Sequence, residues 1–278
     1  MSELPDWRER IIARRERIER DVRAQPECVL EILVDARGGA LSRVRDESDW
    51  GLQVSCEAWK PAGGELRRSR LDLLRRGTRE ELAPWLALSR AHECLRVQAR
   101  LLEHDEMGAP HAWVEKPLGA SDDAELAAMR VELTRPVVIE DPDLGPLTLD
   151  RRLAWYQGEI EWCGRKLRLT VSPDDLEQPE AALAVARALL ADAETWRARI
   201  EDYAVERLLD LKNRTWLDDD EESVDAAELK SRMTLTTLGV REGRGFSFWH
   251  DDGDLFCGHS ILIEGDLESG PTGADIPG

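Results

Sequence analysis

Apolar side chains recur at Trp7, Ile11, Ile18 and Val22, and arginines and glutamates fill the positions between them. That spacing predicts an amphipathic helix over residues 4–24, with Pro26 ending it. The pattern then changes to short runs with a strand period at 29–34, 52–59, 65–73, 94–102 and 112–114, separated by Gly-Gly and Gly-Ala-Pro punctuation. A short helix is expected at 79–86, limited by Pro84. A further helix is expected from Ser121 as N-cap, with Asp122 and Asp123 in its first turn, to about Leu133, where Arg135 and Pro136 stop it.

Beyond Pro136 the same alternation predicts strands near 137–139 and 147–149, and a hairpin of 155–162 with 166–171 joined across Cys163-Gly164-Arg165. Two helices follow, 179–190 and 194–211, the second with Trp196, Ile200, Ala204, Leu208 and Leu211 on one stripe. Asp218 to Glu222 is too polar to bury and reads as a solvated loop before a helix capped at Ser223 or Asp225 and ending near Arg232. The Gly- and Pro-rich tail 269–278 is expected to be irregular. The fold class predicted is α+β in two parts, 1–135 and 136–278, each a mainly antiparallel sheet of hairpins packed with helices.

The densest stretch runs from Phe246 to Ile263 and reads as two alternating strands turned at Asp252-Gly253, a dipeptide suited to a type I′ turn. Counting outward from that turn pairs Asp251 with Asp254, His250 with Leu255, Phe248 with Cys257 and Phe246 with His259, and sets Trp249 and Phe256 on the other face. In that register His250 and His259 stand four strand steps apart, roughly 13 Å at about 3.3 Å per step, too far to share one metal ion.

The chain carries a net charge of -19, unevenly spread. Residues 1–140 hold 23 basic and 27 acidic side chains, and residues 141–278 hold 15 and 30, so the acidity belongs to the second part. Such a field disfavours nucleic acid and anionic membrane and favours a basic protein partner. No apolar run approaches the roughly 20 residues of a membrane span, the start is charged, and five scattered cysteines form no C-x-x-C pair. A cytoplasmic protein with reduced thiols is expected. Ten tryptophans outnumber two tyrosines and three phenylalanines and divide evenly between the parts, which predicts cores anchored on indole rings.

No phosphate loop, G-x-G-x-x-G, G-x-S-x-G or H-E-x-x-H is found, so no catalytic residue, metal ligand set or cofactor is read from the sequence. The candidate binding patch is Trp216, His250, Asp251, Asp252, Asp254 and His259. Three functions compete for it: a non-enzymatic module binding a basic protein, a metal-assisted enzyme using Asp252, Asp254 and His259 on a small polar substrate, and a purely structural domain.

Five segments of the second part together resemble a known family. They are Leu147-Thr-Leu-Asp-Arg-Arg, Trp155 with Gly158, Trp162-Cys-Gly, Leu208-Leu-Asp-Leu-Lys-Asn-Arg-Thr-Trp, and Phe248-Trp-His-Asp-Asp-Gly-Asp-Leu-Phe-Cys-Gly-His-Ser-Ile. The combination resembles the bacterial domain of unknown function 2262, over residues 136–278, with 28–135 similar to the region that often precedes that domain. The resemblance implies no activity and transfers no catalytic residue. The style of this half also resembles small acidic domains that act as immunity partners of secreted bacterial toxins, which would imply a basic protein as ligand.

Overall fold

The computed structural model describes residues 7–43, 49–217 and 221–278, and the chain divides into two compact units, Met1–Arg135 and Pro136–Gly278. The fold class is α+β in two parts, as the alternating periodicities predict.

In the N-terminal unit, α1 (Trp7–Arg23) is followed by β1 (Glu27–Ser42), β2 (Trp50–Pro61), β3 (Leu71–Gly77), α2 (Arg79–Leu88), β4 (Cys94–Leu102), β5 (His111–Ala120) and α3 (Ala124–Thr134). Residues 4–6 of the expected first helix lie outside the described residues. The strands form a closed barrel in the order β1-β2-β3-β5-β4, not an open set of hairpins. Closure depends on the parallel pair β3–β5, Asp72 to Leu74 against His111 to Trp113. Five strands in this order with a helix between the third and fourth make an OB-fold.

Three features of the N-terminal unit differ from expectation for local reasons. Gly38-Gly39 lies inside β1, where Gly38 adopts φ +71 and the Gly39 amide donates to the Ser89 carbonyl at the end of α2. The glycines thus mark a bulge that lets α2 close against the strand instead of marking a loop. The helix α3 is capped by Asp123, which accepts from the Glu125 and Leu126 amides, and Ser121 stands behind it accepting from the Asp123 amide. Pro84 does not cut α2 short, because the helix is nucleated by a capping box between Thr78 and Glu81 and buries Leu82 and Trp85 in the barrel core.

The C-terminal unit is a single eight-stranded sheet. Four strands, β6 (Val138–Asp141), β7 (Gly145–Asp150), β8 (Trp155–Trp162) and β9 (Arg165–Ser172), form an antiparallel meander. The chain then passes through α4 (Glu180–Ala191), α5 (Ala193–Thr215) and α6 (Ala226–Arg232) and returns as β10 (Thr234–Arg241), parallel to β9. A second meander, β11 (Gly245–Asp251), β12 (Ser260–Asp266) and β13 (Gly270–Asp275), completes the sheet. The tail expected to be irregular therefore supplies an edge strand, held by Leu262 to Asp266 of β12.

Strand parity divides this sheet into two unlike faces. Tyr156, Leu169, Val171, Leu238, Val240, Phe246, Phe248, Ile261 and Ile263 share one core with Leu183, Leu189, Trp196, Ile200 and Leu208 of α4 and α5. An edge-to-face aromatic series, Trp196 on Phe246, Phe246 on Phe248 and Phe248 on Trp162, runs through it at 5.2, 5.3 and 5.5 Å between centroids. No described element of the unit packs on the opposite face.

Candidate functional site

The hairpin β11–β12 sets the geometry of the candidate patch, and its register differs from the one counted from Asp252-Gly253. His250 pairs with Ile261 and Asp251 with Ser260, so residues 252–259 form an eight-residue loop. The expected pairs His250–Leu255, Phe248–Cys257 and Phe246–His259 do not form, and Phe256 shares no strand face with Trp249. The 13 Å separation of the two imidazoles falls with that register. They are parted by the fold itself: His250 points to the helix-covered core, while His259 sits in the loop against Trp216.

Asp252 explains why a tight turn gives way to a loop. Its carboxylate is 3% exposed and accepts from the Phe256 amide at 2.6 Å and the Gly258 amide at 3.1 Å. Leu255 and Phe256 are thereby drawn into the core, with Phe256 meeting Trp216 edge to face at 5.7 Å. Asp254 and Cys257 take φ of +65 and +55 and face solvent. Asp251, also exposed, accepts from the Gly253 amide. Gly253 lies so close to α6 that a Cβ there would meet the Arg232 carbonyl at 2.6 Å, and Arg232 Nε donates back to the Gly253 carbonyl.

The six candidate residues therefore split into three places. Trp216, at the C-cap of α5, gathers Phe256 and His259, with its ring 5.3 Å from the imidazole. Asp251, Asp252 and Asp254 serve the loop backbone and an exposed rim. His250 stands apart on the core face of β11. Asp252, Asp254 and His259 do not converge as the metal-assisted reading required, and among the described residues no three His, Cys, Asp or Glu side chains are grouped to hold a metal.

The run Asp218 to Glu222 is also more than a solvated loop, although 218–220 lie outside the described residues. Glu221 receives the Nζ of Lys212, and the Asn213 side chain brackets the Val224 backbone, donating to its carbonyl and accepting from its amide.

The open face of the sheet was not singled out by motif, though strand parity would have found it. It carries Trp155, Thr170, Ser172, Thr237, Gly239, Ser247, Trp249 and Ser260 around a concavity of about 520 Å³. A Cβ on Gly239 would meet Ser247 Oγ at 2.4 Å, so the glycine keeps the floor low between short hydroxyl side chains. Trp155 and Trp249 are half-buried, and the Trp155 indole nitrogen has no hydrogen-bond partner among the described residues. By register, Glu159, Glu161, Asp251, Glu264 and Asp266 share this face with Lys166, Arg168 and Arg241, and Arg241 is paired with Glu264 at 3.2 Å.

The barrel has a cleft of its own, about 410 Å³ between α1 and the strands β1 to β3. Its arginines are committed to neighbours: Arg37 to Asp35, Arg70 to Asp72 and Arg14 to Asp105. Among the described residues none of the five cysteines forms a disulfide, and no helix is long and apolar enough to cross a membrane. Cys56 and Cys94 are buried, and burial raises both thiols above their ordinary pKa, as expected for small core side chains.

No curated protein matches the chain. Among solved structures it is similar to the SSB domain of a Synechococcus sp. protein, at 14% identity and a TM-score of 0.26, covering 33% of this chain and 91% of that one. Residues 141–276 match the model of a family described as an uncharacterized protein conserved in bacteria. That span takes in all but a few residues of the eight-stranded unit, together with Gly158, Lys212, Asn213 and the Asp252 loop, so the C-terminal unit of the chain belongs to the DUF2262 family.

Proposed function

We propose that the C-terminal unit is a protein-docking module that binds a basic partner over the open face of its sheet. The observation that carries this reading is the pair of half-buried tryptophans, Trp155 and Trp249, on a concave sheet face that the unit's own helices leave uncovered. An indole in that position offers large apolar area and one hydrogen-bond donor, the combination enriched at the centres of interfaces. The acids that outnumber the bases on this face, within residues 141–278 of net charge -15, favour a positively charged partner and speed its approach.

A photo-crosslinking amino acid in place of Arg168, which is exposed beside the concavity, tests the reading in an extract of the native cell. A basic protein is expected to be captured. Capture should be lost in Trp249→Ala and should fall steeply as salt approaches about 1 M, where the screening length is about 3 Å. A complex insensitive to both salt and Trp249→Ala would overturn the proposal.

A further inference from the structure

In the N-terminal unit the apolar stripe of α1 leaves the barrel progressively. Val22 is fully buried, Ile18 is half-buried and Ile11 is 58% exposed. The helix therefore diverges from the strands toward its N-terminal end. The wedge between them is the cleft of about 410 Å³, where Ile11 and Ile18 share the lining with Ala40, Gln53 and Leu74.

The two ends of the helix are also held differently. Near its C-terminal end both carboxylate oxygens of Glu19 accept from Arg76 Nε, at 2.8 and 2.9 Å, between side chains only 15% and 18% exposed, and the Arg23 guanidinium lies 3.7 Å over the Trp113 ring. Toward the N-terminal end Arg14 pairs with Asp105 at 2.9 Å and Arg17 with Glu106, and both arginines are nearly half exposed. Asp105 and Glu106 belong to the loop between β4 and β5, so this half of the helix is fastened to a loop. Asp105 keeps the amides of Met107 and Ala109 and the ring of His111 when Arg14 leaves, so release strands no carboxylate. Ion pairs of exposed arginines are weak and are screened by salt, whereas burial of a valine is not. A helical segment of about ten residues without packing is marginal in water, so it unwinds once those pairs are lost.

We infer that α1 is a salt-sensitive strap over the barrel: its residues up to about Arg17 unwind reversibly, Glu19 to Arg23 stay docked, and each opening widens the cleft onto the outer faces of β2 and β3. The closed strap limits access to the cross-strand pair Gln53 and Leu74, and to Ser55 and Asp72, whose side chains are hydrogen-bonded at 2.7 Å. The open strap exposes them. The device lies in the N-terminal unit and does not depend on the docking face proposed above.

The test is amide hydrogen exchange of the full chain at about 0.05 M and about 1 M sodium chloride, each rate taken relative to the unstructured rate at the same salt. The amides of Ala13 to Arg17 are expected to lose about fivefold of their protection in high salt, the worth of two exposed ion pairs, and those of Asp21 to Arg23 less than about twofold. Arg14→Gln/Arg17→Gln, at two exposed positions, should show the high-salt exchange at both salts. Opening of the cleft is read separately, from the rate at which diethyl pyrocarbonate modifies His111, 7% exposed in the cleft lining, against His250, 5% exposed in the other unit. The ratio of those rates should rise about fivefold in high salt and, at low salt, in the double variant. Three results would each overturn the proposal: a change of less than about twofold at Ala13 to Arg17, an equal loss at Asp21 to Arg23, as when the helix leaves in one piece, or a His111 ratio that stays constant.

Discussion

The ammonium of Lys212, on a side chain 1% exposed, lies between the Trp216 carbonyl at 2.8 Å and the carboxylate of Glu221. One buried lysine thus closes the C-terminal end of α5 and anchors the segment that leads to α6, assisted by Asn213 one position on. This accounts for the Leu-Lys-Asn-Arg-Thr-Trp stretch without any catalytic role. A buried ion pair adds little over apolar packing, but removing one partner strands the other. Lys212→Met should therefore lower stability by about 2 kcal/mol, less than a fully enclosed pair would, because Glu221 is 26% exposed and can turn to water. The double variant Lys212→Met/Glu221→Leu should recover at least half of that loss in equilibrium unfolding. A double variant no more stable than the single one would show that the Trp216 carbonyl, not Glu221, carries the coupling.

Asp252 is the second residue whose conspicuous chemistry is structural. Its Oδ2 accepts from two amides, of Phe256 and Gly258, that lose their partner if the carboxylate is removed. Asp252→Ala should cost about 3 kcal/mol, at about 1–3 kcal/mol for each stranded amide, while Asp252→Asn, which keeps one acceptor oxygen, should cost about 1 kcal/mol. Hydrogen exchange gives the local check: the Phe256 amide should lose its protection in the alanine variant. If that amide stays protected and the cost is under about 0.5 kcal/mol, the loop is held by Leu255 and Phe256 burial alone.

These residues show where sequence reasoning reaches and where it stops. Cys163-Gly164 and Asp252-Gly253 carry nearly the same turn signal, yet only the first makes a two-residue turn, with Trp162 paired to Arg165 and φ of +48 and +78 at the two turn residues. The difference lies in what flanks them. Polar Arg165 and Lys166 let β9 start at once, whereas Leu255 and Phe256 are captured by the core beside Trp216, which comes from a segment some forty residues earlier. Barrel closure was illegible for the same reason, because the parallel β3–β5 pair joins residues far apart in the chain and leaves no local mark. Gly158 shows a further limit. A Cβ there would meet the Pro146 carbonyl at 2.6 Å, a constraint visible only once β7 lies on β8. Helices and strand parity, which need only local periodicity, were legible, and so was the composition of the open face once its parity is followed.

His250 gives a prediction with a definite sign in pH. Burial, against weaker opposing contributions from the Ile261 and Phe248 backbone, brings its pKa from an ordinary 6.5 down to about 4. Between those values the unfolded chain holds a proton on this imidazole that the folded chain does not, so stability rises with pH across that window and levels off above it. The span of about 2.5 pH units corresponds to about 3 kcal/mol at full protonation, at 1.36 kcal/mol per unit. Subtracting the pH profile of His250→Gln removes the carboxylates common to both proteins. The difference should climb by up to about 1.4 kcal/mol per pH unit between pH 4 and 6.5 and be flat above pH 7. A flat difference throughout would mean that the ring stays hydrated in the folded protein and titrates normally.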